Sequence, residues 1–158
     1  MKSFSVEWLQ NEGFVGLEPI ERLRATRCAS VPTGPGVYAV VRTAKTSPAW
    51  LDNSSGSHFK GRNPTVPIGV LESRMIKGTP VLYFGKAEQL HRRLDQYVRF
   101  GAGTPVGHWG GRYIWQLTDS AGLETAWLVH PTPRLKESEL ISQFVDEFGS
   151  MPLANLQR

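Results

Sequence analysis

The sequence predicts a small mixed α/β (α+β) domain, in which an antiparallel sheet of three or four strands is flanked by helices. Two observations lead to this fold class. Short segments rich in β-branched and aromatic residues alternate with segments whose apolar residues recur at helical spacing. The chain also has 158 residues, of which 40% are hydrophobic and 20% charged, so that it can bury one core. We therefore expect a single domain over 1–158.

The first half of the chain combines an N-terminal arm, one strand and a long insertion. The arm covers 1–33 and ends in the turn residues SVPTGPG, after which a new element begins. The insertion covers 43–78 and opens with a polar stretch that lacks any periodicity. The predicted elements are helical segments at 6–9 and 20–25, a strand at 37–42, a loop at 43–66 and a helix over IGVLESRMIKG that ends at Gly78.

The second half alternates strands and helices more regularly. Gly149 follows the last helical position, as expected of a residue that ends a helix, and an irregular tail comes after it. The predicted elements are a strand at 81–85, a helix at 88–100, strands at 112–117 and 123–129, and a helix at 134–148.

The charge distribution is compatible with an anionic partner. The net charge is +4, and the basic excess lies before the last predicted helix, because residues 120–158 have three basic and five acidic side chains. Between 84 and 119 the basic residues are interleaved with tyrosine and tryptophan, which suits phosphates and exposed bases. A solvated basic face around an aromatic core would give the same composition.

Cysteine usage and the N-terminus indicate a reducing compartment. The single cysteine, Cys28, excludes an internal disulfide and a cysteine-rich zinc site. The N-terminal MKSFSVEWLQ has no apolar run of the kind found in signal peptides, and no segment reaches membrane-spanning length. We expect a cytoplasmic protein with no membrane partner.

The last predicted helix carries a glutamate at the head of its apolar face. On a wheel of about 100° per residue, Leu140 and Phe144 fall on the same side as Glu137, whereas Glu139 falls on the polar side. A carboxylate at the end of a buried stripe needs a cation, either an arginine or a metal ion. The alternative is a half-exposed glutamate that the helix dipole favours in the first turn.

The helix at 88–100 offers a basic side chain at the edge of its core-facing side. Tyr97 lies on that side, and Arg93 precedes it by one helical turn. An arginine anchored there would present a fixed fork to a phosphate, while Arg92 and Arg99 can extend into solvent. The alternative is an ordinary surface arginine.

Five short blocks of the sequence, taken in order, resemble the motifs of the GIY-YIG nuclease superfamily. Each tripeptide alone is weak evidence, but the ordered set is specific. The blocks are GVY at 36–38, YFG at 83–85, GKAEQLHRRLDQY at 85–97, ESELI at 137–141 and PLAN at 152–155.

The resemblance implies catalytic roles for five of these side chains. Tyr38 would deprotonate or position the attacking water, and a phenol with a pKa near about 10 would need nearby positive charge for this. Lys86, Arg93 and a metal ion would supply that charge. Arg93 would also contact the phosphate, Tyr83 would orient water or phosphate, and Tyr97 would contact one of them. If the two motif tyrosines were only core aromatics, the matching arginine and glutamate would have no explanation.

The resemblance also implies the cofactor and the reaction. Glu137 matches the lone protein ligand of a single Mg²⁺ or Mn²⁺, and Asn155 matches an asparagine that ties the tail to the sheet. The implied activity is that of an endonuclease, which hydrolyses phosphodiester bonds in DNA and leaves 5′-phosphate and 3′-hydroxyl ends. Double-stranded DNA is the expected partner, and a double-strand cut would need a homodimer or two successive nicks.

Several basic residues are candidates for DNA contacts. The glycine-rich stretch before 112 could bring its side chains to a phosphate, or it could be a packed turn with its tryptophans in the core. The predicted nucleic-acid contacts are Lys86, Arg92, Arg93, Arg99, His108 and Arg112.

The spacing of the two tyrosines departs from the family pattern. Tyr38 and Tyr83 lie 45 positions apart because of the insertion at 43–78, where the family usually has a short hairpin. No helix-turn-helix or zinc finger is visible, so any sequence specificity would come from the insertion, the arm or dimerisation. The alternatives are a catalytically silent GIY-YIG module that binds nucleic acid and an RNA-directed or toxin-like nuclease.

Overall fold

The fold is built on a four-stranded antiparallel sheet, as the sequence predicts. The computed structural model describes residues 1–157. The strands lie in the order β1-β4-β2-β3, and every neighbouring pair is antiparallel. Their bounds are β1 Val15–Pro19, β2 Gly36–Val41, β3 Val81–Ala87 and β4 Glu124–Val129.

Five α-helices surround the sheet at positions close to those predicted. Ser5 caps the first by accepting from the Trp8 amide, and Gly149 ends the last with a φ of 82°. Within residues 1–157 no helix is long and apolar enough to cross a membrane. The helices are α1 Val6–Asn11, α2 Ile20–Ala25, α3 Ile68–Arg74, α4 Leu90–Gly101 and α5 Pro133–Phe148.

The central strand β2 separates two halves of the core. Its side chains alternate, so that Val37 and Ala39 join the cluster that includes α1 and α5, whereas Tyr38 and Val40 join the cluster that includes α2 and α4. All six residues of β2 are buried because it has a strand on each side and helices on both faces. Tyr38 therefore projects from a fixed position toward α4.

One predicted strand is wrong and one real strand was missed. The segment predicted as a strand at 112–117 is a 3-10 helix, Arg112–Gln116, which begins after Gly111 with a φ of 74°. Five consecutive residues of this segment, 113–117, are buried, so their burial does not alternate as it would in a half-buried strand. The fourth strand is instead Val15–Pro19, in the arm where only helical pieces were predicted. Its left-handed Gly16 and Leu17 and its bulge obscure the alternation.

The insertion is fastened to the rest of the domain. The Gln116 amide donates to the carbonyls of Leu51 and Val66 and accepts from the Val66 amide. The predicted insertion helix is shorter than expected, because Met75 is already extended. Arg74 at its end donates to two carbonyls of the C-terminal tail.

Candidate active site

A cleft of about 770 Å³ opens where β2, β3, α4 and the start of α5 meet. It contains most of the side chains that the motifs single out, although they lie far apart in the chain. Four basic and two acidic side chains line it, which leaves an excess of positive charge. Its polar and aromatic lining includes Tyr38, Arg62, Tyr83, Lys86, Glu88, Arg93, Trp109, Arg112, Glu137 and Asn155.

The two motif tyrosines lie side by side at the base of the cleft. Their ring centroids are 5.9 Å apart in an edge-to-face arrangement. Tyr38 pairs across the strands with Gly85, where any Cβ would overlap the Tyr38 ring. Gly111 makes room in the same way for Tyr83. The glycines beside the tyrosines therefore shape the space that the phenol rings fill.

The pKa of Tyr38 differs from the expectation, and that of the neighbouring Tyr83 is raised as well. We expected neighbouring positive charge to lower the pKa of Tyr38, but burial and the neighbouring Tyr83 raise it well above the ordinary value, and Arg93 offsets only part of this. Burial, with a contribution from Glu137, raises the pKa of Tyr83 to about 12. In the protein alone both side chains are neutral phenols near pH 7, able to donate and accept hydrogen bonds.

Tyr97 lies beneath the cleft rather than in it. Its ring is fully buried, and its hydroxyl donates to the carbonyl oxygen of Gly111 at 2.6 Å. Ring centroids of Tyr38 and Tyr83 lie 6.0 and 5.7 Å away. The predicted contact of Tyr97 with phosphate or water is therefore wrong for this structure. The side chain is enclosed, and its hydroxyl proton is already donated to the Gly111 carbonyl. It supports the two tyrosines above it.

Glu137 reaches the cleft from a position just after the first turn of α5. Its side chain is 16% exposed, whereas that of Glu139 is 55% exposed, as the helical wheel predicts. The Lys86 ammonium lies 3.3 Å from a Glu137 carboxylate oxygen. Burial nevertheless raises the pKa of Glu137, and Lys86 offsets only part of the effect. The carboxylate is thus partly desolvated and held by a single long ion pair.

The donors around Glu137 fit a hydrated hard cation. Within residues 1–157 no three His, Cys, Asp or Glu side chains are grouped closely enough to hold a metal alone. A structural zinc ion would need such a group, whereas Mg²⁺ keeps several waters and commonly uses one or two carboxylates plus substrate phosphates. A lone desolvated carboxylate in an open, basic cleft fits the second case.

Arg93 projects into the cleft from α4 and has no carboxylate partner within residues 1–157. Its closest polar contacts are long, 3.5 Å to the Gln96 side-chain oxygen and 3.4 Å to the Gly107 carbonyl. The guanidinium is therefore only weakly engaged and can turn to an anion in the cleft.

Two of the other predicted nucleic-acid contacts on α4 lie outside the cleft. Arg92 is exposed, and Arg99 lies 3.7 Å from Asp95, which also bonds Arg27 at 2.8 Å. Their contacts with DNA stay predictions. Arg92 and Arg99 would touch the nucleic acid only if it extended from the cleft along α4.

The cleft has a basic-aromatic wall that the sequence revealed only in part. Arg112 was a candidate, and its guanidinium carbon lies 4.2 Å from the centroid of the Trp109 ring. Arg62, from the insertion, lies 4.9 Å from the same centroid and was not predicted. In the sequence, Arg62 is only an arginine near Phe59 in a long loop, and this pattern does not indicate where the loop packs.

His108 is part of the core rather than a nucleic-acid contact. It is 1% exposed, its ring stacks 4.4 Å from that of Tyr97, and neither ring nitrogen has a hydrogen-bond partner within residues 1–157. The prediction that it binds nucleic acid is wrong here because its polar atoms are enclosed. Burial, with the charge of Arg93, lowers the pKa of His108 to about 3.

The buried His108 gives a prediction for stability in acid. In the unfolded chain this histidine is protonated below about pH 6.5, whereas in the folded protein it stays neutral down to about pH 3. The free energy of unfolding should therefore fall by about 2 kcal/mol at pH 5 from this side chain alone. Replacing His108 by phenylalanine should remove that part of the pH dependence in urea titrations. Equal slopes for parent and His108→Phe would contradict the assignment.

Asn155 joins the C-terminal tail to the sheet through both ends of its amide. The side-chain oxygen accepts from the Phe84 amide at 3.0 Å, and the side-chain nitrogen donates to the Phe84 carbonyl at 2.9 Å. Phe84 lies between Tyr83 and Gly85 on the edge strand β3, so the tail covers that edge and forms one side of the cleft.

Compared with protein-family models, with curated proteins and with solved structures, the chain matches none of them. The function of the cleft therefore has to be inferred from its own chemistry.

Proposed function

We propose that the cleft is the active site of a GIY-YIG-type endonuclease, which hydrolyses phosphodiester bonds in DNA with one Mg²⁺ or Mn²⁺. The observation that carries the proposal is the convergence of Tyr38, Tyr83, Lys86, Arg93 and Glu137 in one cleft. These residues come from β2, β3, α4 and α5. The cleft combines neutral phenols, one desolvated carboxylate and guanidinium groups that form no ion pair within residues 1–157. This set suits a charged phosphodiester better than a neutral ligand.

Arg93 and Glu137 would hold the scissile phosphate between them. The weakly engaged guanidinium of Arg93 binds the phosphate oxygens and stabilises the charge that develops on them. Glu137 would hold the divalent ion, which when bound polarises the phosphate and stabilises charge on the reacting oxygens. In the protein alone, Lys86, whose ammonium lies 3.3 Å from Glu137, favours the ionised form of this carboxylate. The divalent ion would take over this role when it binds.

The two tyrosines would order the attacking water. Because their pKa values are raised, they act as neutral hydroxyl groups that fix the position of the water oxygen, rather than as a standing phenolate base. Attack of that oxygen on phosphorus forms the new P–O bond and breaks the bond to the 3′ oxygen, and the proton that the water loses balances the one that the 3′ oxygen takes up. The products are a 5′-phosphate and a 3′-hydroxyl.

A substrate panel separates this function from its alternatives. End-labelled single- and double-stranded DNA and RNA are incubated with the full chain in Mg²⁺, Mn²⁺ or EDTA, and the products are separated on denaturing gels. We expect metal-dependent internal cuts in double-stranded DNA. Cuts confined to RNA would assign the cleft to an RNA-directed nuclease. Salt-sensitive binding of DNA without cleavage in any metal would assign it to a binding module.

A further inference from the structure

The insertion returns to the cleft through a tight turn. Phe59 and Arg62 exchange backbone hydrogen bonds of 3.0 and 2.9 Å, and Lys60 and Gly61 between them have positive φ angles. The Phe59 ring then stacks on Trp109 with a centroid distance of 5.9 Å. On the C-terminal side, Thr65 accepts from the Ser54 amide, which ties the two limbs of the loop together. Arg62 is therefore carried to the cleft by an anchored turn.

Two like charges meet at this wall, and the described part of the chain offers neither of them an acidic partner. The guanidinium carbons of Arg62 and Arg112 lie 4.9 and 4.2 Å from the centre of the Trp109 ring. Neither arginine forms an ion pair within residues 1–157, and the closest polar contact of Arg112 is a 3.4 Å bond to the Trp109 carbonyl. The indole attracts both cations, but their mutual repulsion is relieved only when an anion binds between them.

A phosphate is the anion that suits this wall. Guanidinium groups bind phosphate oxygens with paired donors, and stacking on an aromatic ring fixes the orientation of those donors. The Trp109 ring already contacts Phe59, Phe100 and both guanidinium groups, so it serves as their support rather than as a stacking surface for a base. The cleft, at about 770 Å³, lies near the upper end of ordinary ligand pockets and has room for more than one phosphate.

We propose that Arg62 and Arg112, supported by Trp109, form a second phosphate subsite, which binds a backbone phosphate of the same nucleic-acid strand beside the one held at Arg93 and Glu137. The insertion is thus a strand clamp. The clamp rests on the proposed function, since it assumes that the ligand is a polynucleotide. It explains the long separation of the two tyrosine strands by giving the intervening segment a contact with the substrate.

The test is the salt dependence of DNA binding with catalysis switched off. A fluorescently labelled DNA duplex is titrated with the full chain in EDTA, and anisotropy gives the affinity at several salt concentrations. Arg62→Gln and Arg112→Gln should each weaken binding roughly fivefold or more at low salt and reduce the slope of log affinity against log salt by about one contact. Lys45→Gln, an exposed cation of the same insertion outside the cleft, should change neither quantity.

Arg62→Gln decides the outcome, because Arg62 is exposed and its replacement should leave the fold intact, which thermal unfolding checks. If Arg62→Gln binds DNA with the same affinity and the same salt slope as the parent, the clamp is overturned, even if the parent cuts DNA. A parent that binds through Arg62 and Arg112 but does not cut in any metal would uphold the clamp and refute the nuclease proposal. A parent that does not bind DNA would overturn both.

Discussion

Replacing Glu137 by glutamine is expected to reduce the rate of DNA cleavage in Mg²⁺ by at least about 100-fold. Glutamine keeps the size and hydrogen-bonding shape of the side chain but removes the charge that would hold a divalent ion. The protein should stay folded, because the lost ion pair with Lys86 is a long one at a half-exposed lysine. The substitution also removes a carboxylate that burial already disfavours in its ionised form. The measurement is the single-turnover rate at matched concentrations of folded protein.

Glu139→Gln provides a matched control for this result. Glu139 lies two residues further along α5, is exposed and interacts only with Lys136, at 3.8 Å, among the ion pairs of residues 1–157. Its replacement should leave the cleavage rate within about twofold of the parent, as for most surface changes. If Glu137→Gln cut as fast as Glu139→Gln, Glu137 would not be the metal-binding carboxylate.

Replacing Gly85 by alanine should damage both stability and activity. The new methyl group would overlap the Tyr38 ring, which is buried against Tyr83 and Tyr97 and cannot move outward without leaving the cleft. Overpacking of this kind destabilises by about 1–3 kcal/mol, and the displaced hydroxyl would no longer order water beside Tyr83. We expect a lower unfolding midpoint in urea and a cleavage rate reduced by more than the lost folded fraction explains.

Gly69→Ala tests the same chemical change in open space. A Cβ at Gly69, near the start of α3, would meet no atom within 4 Å. In a helix this change normally stabilises by about 0.4–1 kcal/mol. A Gly85→Ala protein that is as stable and as active as Gly69→Ala would show that the position of Tyr38 does not matter.

The sequence predicted those parts of the fold that local patterns determine. The strands at 37–42 and 81–85 and the helix at 134–148 are β-branched or periodic segments, and each lies within two residues of its predicted bounds. The segment at 112–117 misled because three buried aromatic and aliphatic residues in succession suit a buried strand as well as a tightly wound turn. Only tertiary contacts with the insertion distinguish these two structures.

The site was predictable where helical geometry applied and not where burial depended on distant segments. The wheel separated Glu137 from Glu139, because both positions belong to one regular helix. It could not show that Tyr97 and His108 would be covered, since the residues that cover them come from other parts of the chain. Arg62 lies on an aperiodic loop, and its place beside Trp109 follows from packing alone.

The central claim is that this cleft hydrolyses DNA with a divalent ion. The most direct measurement is the conversion of supercoiled plasmid to the nicked form by the purified full chain, first in Mg²⁺ and then in excess EDTA. We expect nicking in Mg²⁺, its loss in EDTA, and nicks that DNA ligase seals without prior treatment, as 5′-phosphate and 3′-hydroxyl ends require. Plasmid that stays supercoiled in both Mg²⁺ and Mn²⁺, with a protein shown to be folded, would contradict the claim.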